Sequence, residues 1–118
     1  MSDSIEINGV EYIRADSVPA QGEGDWTLVR SRGAGVFVGQ LESHDAATQT
    51  AVLTNARRIW YWEGAASLSE LAQRGTSKPG SCKFPAPVSR VTIGEVVELI
   101  PVTSAALATI ESVKVWSK

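Results

Sequence analysis

The 118-residue chain has one cysteine, Cys82, and one histidine, His44. A single cysteine excludes any internal disulfide, and a reducing compartment is the expected setting. One Cys and one His also fall short of the usual zinc sets, so neither a metal nor a cofactor is expected. No stretch approaches 18 consecutive apolar residues, and the opening Met-Ser-Asp-Ser-Ile-Glu lacks a basic region followed by an apolar one. Neither a membrane contact nor a secretory leader is therefore expected. Nucleotide-binding fingerprints are missing too. Arg30-Ser-Arg-Gly-Ala-Gly35 has glycines and arginines suited to an anion nest, but it lacks the Gly-Lys-Ser/Thr of a P-loop and precedes a strand pattern. A glycine-rich hairpin turn is the simpler reading. With no second histidine, the familiar acid/base constellations are out of reach, and a Cys82/His44 catalytic pair would require the fold to bring the two together. The expectation is no catalytic residues and no enzyme.

What is present suits one ordinary globular core. The chain is 43% hydrophobic and carries a net charge of −2, far from the composition of disorder. The charge is uneven. Asp3, Glu6, Glu11, Asp16, Glu23 and Asp25 face Arg14 alone over residues 1–29. From Arg30 to Arg90, the basic Arg30, Arg32, Arg57, Arg58, Arg74, Lys78, Lys83 and Arg90 outnumber Glu42, Asp45, Glu63 and Glu70. Such a split suits an anionic ligand on the basic centre, or an acidic arm lying on its own core or on a second subunit. Overall acidity argues against nucleic acid as the partner.

The segment Ile5–Ile13 sets Asn8-Gly9 between two alternating runs, which predicts a β-hairpin with Ile5, Ile7, Val10 and Tyr12 on one apolar face. An isolated hairpin is barely stable in water, so that face must dock on something. Residues 1–15 are thus read as an N-terminal arm, 16–25 as a flexible Gly/Pro-containing connector, and 26–118 as a compact domain. Strands are expected at Trp26–Arg30, Val36–Leu41, Thr50–Leu53 leading into Arg57–Trp62, Arg90–Ile93 and Val96–Ile100, with a bulge or turn at Gly94. Ser67-Leu-Ser-Glu70 is a capping box and Gly75 a helix stop, predicting a helix over about Leu68 to Arg74. Thr103 or Ser104 can cap a second helix with Ala106, Leu107 and Ile110 inward. Pro79, Pro85 and Pro87 make Lys78–Val88 a loop or edge, and Val113–Trp116 reads as a last edge strand. The expected fold class is α+β: an antiparallel sheet of about five or six strands, two short helices and the hairpin arm.

The most unusual stretch is Asn55-Ala-Arg-Arg-Ile-Trp-Tyr-Trp62. As a strand it would place Arg57, Ile59 and Tyr61 on one face and Arg58, Trp60 and Trp62 on the other. Arginine beside indoles suits a nucleobase with its phosphate, and equally suits a subunit interface or plain core packing with snorkelling arginines. The candidate ligand-binding residues are Arg57, Arg58, Trp60 and Trp62, with Arg32 and Lys83 as anion helpers. Cys82, next to Lys83, reads as a small half-buried loop cysteine.

Three blocks carry a family resemblance: Val29–Gly39, Asn55–Ala72, and Lys78-Pro79 with Cys82-Lys-Phe-Pro-Ala-Pro-Val88. Together they resemble a family of small uncharacterised proteins encoded by tailed bacteriophages and prophages, across roughly Trp26 to Trp116. The resemblance implies origin and confers no activity on any residue. It implies a non-enzymatic accessory protein in the host bacterial cytoplasm that binds a host partner or a small anionic, nucleotide-like ligand. A homo-oligomer is expected. The alternative is a structural or assembly component whose Arg/Trp run is a subunit interface.

Overall fold

The computed structural model describes residues 25–117. The predicted hairpin arm, and the connector as far as residue 24, lie outside them. The described residues form the α+β fold expected, with five antiparallel strands: β1 (Trp26–Ser31), β2 (Gly35–Asp45), β3 (Thr50–Arg58), β4 (Val88–Ile93) and β5 (Val96–Pro101). The helices are α1 (Leu68–Arg74) and α2 (Ser104–Glu111), with a 3-10 turn at Pro79–Ser81.

The strand order is β4-β3-β2-β1-β5, so the two edge strands are the two joined by Gly94-Glu95. In a flat sheet, four inter-strand gaps would separate them by about 19 Å, whereas Ile93 and Val96 can stand no more than about 11 Å apart along the chain. The sheet must therefore coil. Two backbone bonds hold the closure: Arg32 N–H donates to Glu95 O, and Val96 N–H donates to Gln49 O, both at 2.9 Å. The concave side is filled from every strand, by Val29, Phe37, Ala51, Leu53, Ala56, Ile93 and Val96.

The convex side carries the second core. Leu28 and Val38 from the sheet pack with Ile59, Leu71, Ala72, Phe84, Ile110 and Val113 from the helices and loops. The α1 boundaries match the capping-box reading: Ser67 Oγ accepts from Glu70 N–H, Glu70 Oε1 accepts from Ala66 N–H, and Gly75 adopts φ +80°. At Gly75 a Cβ would fall 1.9 Å from Thr109 Oγ1, so the stop also lets α1 approach α2. Thr103 is the cap of α2, its side chain accepting from Ala106 N–H.

Three expectations need correction. The stretch Thr50–Leu53 and Arg57–Trp62 is one strand, β3, that bulges at Asn55 (φ +49°) and ends at Arg58. Gly39 lies opposite the bulge, where a Cβ would meet Ala56 Cα and Thr54 O at 3.0 Å. β3 stops because its partner does: Ile59 N–H reaches Val36 O, one residue after β2 begins. Second, β2 runs on past the expected end at Leu41 to Asp45, so His44 is an exposed strand residue paired with Ala51. Third, Val113–Trp116 forms no strand but a single parallel bridge, Phe84 to Val115.

Glu42 of β2 and Arg90 of β4 form a two-bond ion pair across β3 at 2.8 and 2.9 Å. Hydrogen bonding from Arg90 holds the Glu42 carboxyl below its usual range. Its contribution to stability is therefore present above the unfolded carboxylate range and lost as pH falls through the lowered folded value. The Glu42→Gln variant is expected to lower stability slightly at neutral pH and not at acid pH, which flattens the acid limb of a stability-versus-pH curve; the effect is small because the pair is exposed.

Candidate functional site

The aromatic run leaves the sheet at Ile59, which turns into the convex core and sends Trp60 outward. Beyond it the chain pairs with the proline-rich loop: Trp60 N–H and Tyr61 N–H donate to Lys83 O, and Lys83 N–H donates to Tyr61 O at 2.8 Å. Phe84, fully buried, anchors this loop and alternation leaves Lys83 at the surface. On the other side of the loop, Trp116 N–H donates to Phe84 O at 3.0 Å.

These three segments bring Trp60, Tyr61, Lys83 and Trp116 together. The Trp60 and Trp116 rings lie 6.4 Å apart between centroids and 8° from parallel, within the range of offset aromatic pairs. Lys83 Nζ stands 5.7 Å from the centroids of both Tyr61 and Trp116, a cation–π distance. Tyr61 donates its hydroxyl to Glu63, and that bond pushes the phenol pKa up. Trp60 is 63% exposed and Tyr61 43%, so the cluster is an exposed aromatic surface carrying one cation, Lys83, and one carboxylate, Glu63.

The six residues singled out in the sequence end up in different places. Trp60 and Lys83 belong to this surface. Trp62 does not: it packs half-buried on the convex core, its Nε1–H donating to Ala65 O. Arg57 faces the convex core, with Nε donating to Pro85 O at 3.0 Å, a terminal nitrogen to Phe84 O at 3.1 Å, and the other to Ile110 O at 3.5 Å. Its guanidinium also lies over the Phe84 ring. Arg58 points the other way, over Phe37 at 4.4 Å and bonded to Ala34 O. Arg32 lines a groove of about 560 Å³ with Arg30, Gly35 and Val97. Sequence reasoning left Trp116 out of the site. Its one local signal was an aromatic set among polar residues in Lys114-Val-Trp-Ser-Lys118, without an apolar period to bury it.

A second groove, of about 600 Å³, lies between α2 and the sheet, with Trp26, Val38, Val88, Leu107 and Ile110 as apolar walls. Gln40, Asn55, Arg57, Ser89 and Glu111 are its polar lining, and the bulge aims Asn55 Nδ2 at Gln40 Oε1. Neither groove is lined by Trp60, Tyr61, Lys83 or Trp116.

Cys82 is buried, not half-buried as expected, and its thiol lies against Glu63 O, Lys78 O and Thr76 Oγ1, well apart in surroundings from exposed His44. Among the described residues no three His, Cys, Asp or Glu side chains are grouped to hold a metal ion, and no helix is long and apolar enough to cross a membrane.

No curated protein matches the chain. One family does, over residues 24–110, taking in all five strands, α1 and Trp60, Tyr61 and Lys83, but not Trp116. With most of its length matched, the chain belongs to the family described as Domain of unknown function (DUF6948).

Proposed function

We propose that this protein is a non-enzymatic accessory protein of bacteriophage origin, working in the cytoplasm of a host bacterium by docking a host protein on the Trp60, Tyr61, Lys83 and Trp116 surface. The observation that carries this reading is the exposure of Trp60 on a surface assembled from three separate segments. Covering an exposed large aromatic is worth roughly 2–3 kcal/mol, and Trp and Tyr are the residues most enriched at the energetic centres of interfaces. Within its own fold Trp60 gains only the edge of that benefit. The surface lies outside both grooves, which favours a macromolecule over an enclosed nucleotide. A small anionic ligand stacked on the indoles with its charge at Lys83 is the weaker form of the same idea.

A photo-reactive phenylalanine analogue in place of Tyr61, introduced in bacterial cells, tests the reading. One dominant cross-linked host protein is expected, lost on adding Trp60→Ala, with an affinity drop of about 30-fold or more for a hot-spot residue. Cross-linking that survives Trp60→Ala unchanged would sink it. The second reading, an assembly component forming a homo-oligomer, is favoured by the same exposure and would give cross-links to the chain itself.

A further inference from the structure

The turn between β1 and β2 carries chemistry that the aromatic surface does not use. We infer that the groove lined by Arg30, Ser31, Arg32, Gly35, Val36 and Val97 binds a small organic phosphate monoester. The Arg30 and Arg32 guanidiniums take the phosphate, and Val36 and Val97 face the apolar body of the ligand.

The backbone of the turn is already engaged. Arg32 N–H donates to Glu95 O and Ala34 N–H to Ser31 Oγ, so an arriving anion meets side chains. Arg32 is exposed, and among the described residues its guanidinium forms no hydrogen bond, ion pair or ring contact. Arg30 donates Nε to Glu98 Oε1 at 3.0 Å, a bond that steadies the side chain and leaves both terminal nitrogens for a ligand. Arg58 brings a third guanidinium close by: it bonds Ala34 O, and a Cβ on Gly35 would stand 3.8 Å from its terminal nitrogen. Two carboxylates adjoin these cations. Glu98 is taken up by Arg30. Glu95, whose Oε1 lies close over Gly33, forms no ion pair with any of the three arginines among the described residues. The cations are therefore only partly offset.

Charge and size select the ligand. The Cα atoms of Arg30 and Arg32 stand no more than about 7 Å apart along the chain, so both side chains can reach one acidic group. A carboxylate has a single charge and two oxygens, which one guanidinium fork satisfies. A phosphate monoester carries roughly −2 near neutral pH on three acceptor oxygens, enough for two forks. The groove, at about 560 Å³, falls within the range of about 300–1,000 Å³ usual for small-molecule sites. Val97 is 38% exposed and Val36 half-buried, an apolar wall that a bare inorganic anion would leave wet.

Amide chemical-shift titration of the ¹⁵N-labelled full chain, in buffer free of phosphate and sulfate, tests the inference. The probe is adenosine monophosphate, with adenosine and inorganic phosphate as its two halves. The monophosphate is expected to shift the amides of Arg30–Val36 and Val97 saturably, and to bind about tenfold or more tighter than either half. Arg32→Ala is expected to weaken it about tenfold or more and to leave the amides of both cores in place, because the Arg32 side chain is exposed. Adenosine that binds as tightly as the monophosphate overturns the phosphate assignment, and inorganic phosphate that does so overturns the organic body. The site itself is overturned by an absence of saturable shifts, by shifts centred on Trp60 and Lys83 instead, or by an Arg32→Ala variant that binds like its parent.

Discussion

Replacing Arg57 with alanine is expected to destabilise the protein by about 3 kcal/mol, since charge-assisted hydrogen bonds and the carbonyls they satisfy are both lost. For a body of this size that lowers the melting temperature by roughly 10–20 °C. The reason is geometric. One planar guanidinium bonds Pro85 O and Phe84 O on the proline-rich loop and Ile110 O near the end of α2, so it ties β3 to both elements. Its position at the C-terminal turn of α2 also sets a cation where the helix dipole is negative. Arg57→Lys keeps the charge but not the fork, and is expected to recover no more than about half of the loss. Thermal melts of the two variants check this. Unchanged stability in Arg57→Ala would return Arg57 to the list of residues free to hold a ligand.

Phe84→Ala is expected to cost more, about 3–5 kcal/mol, the usual range for emptying an aromatic site in a packed core. Phe84 is fully buried in the convex cluster, lies beneath Arg57, and its backbone bonds Trp116. The loss should therefore reach the surface cluster as well as the core. Near-ultraviolet circular dichroism of a Phe84→Leu variant, which refills most of the volume, is expected to recover much of the stability. Its Trp60–Trp116 signal should be weakened, because Leu cannot reproduce the ring that Arg57 and the loop rest upon. A Phe84→Ala variant as stable as its parent would contradict the assigned core.

The local grammar of the sequence reached far into the fold. Ser67, Glu70 and Gly75 delimit α1 to the residue, because caps act within one turn and need no tertiary partner. The break at Gly94 was equally visible, yet its role was hidden: a two-residue link looks like a hairpin until the strand order shows that it joins opposite edges of a coiled sheet. Where β3 ends was not legible either, since that depends on where β2 begins. The same holds for the site. Alternation placed Arg57 and Arg58 on opposite faces, and their different surroundings agree. Period-two reasoning failed beyond Ile59 because the backbone changes partner there, so Trp62 turned into the core while Trp60 stayed out. Trp116 is brought beside Trp60 by its backbone bond to Phe84, a long-range contact that no local pattern encodes.

The most direct test of the docking claim is native mass spectrometry of the parent chain and its Trp60→Ala variant, each purified from bacterial cells. The account predicts a defined complex of the parent with a second protein, and a folded variant stripped of it, with a melting temperature close to the parent's because Trp60 is mostly exposed. A parent that flies alone, or a variant that keeps the same partner in the same proportion, would contradict it.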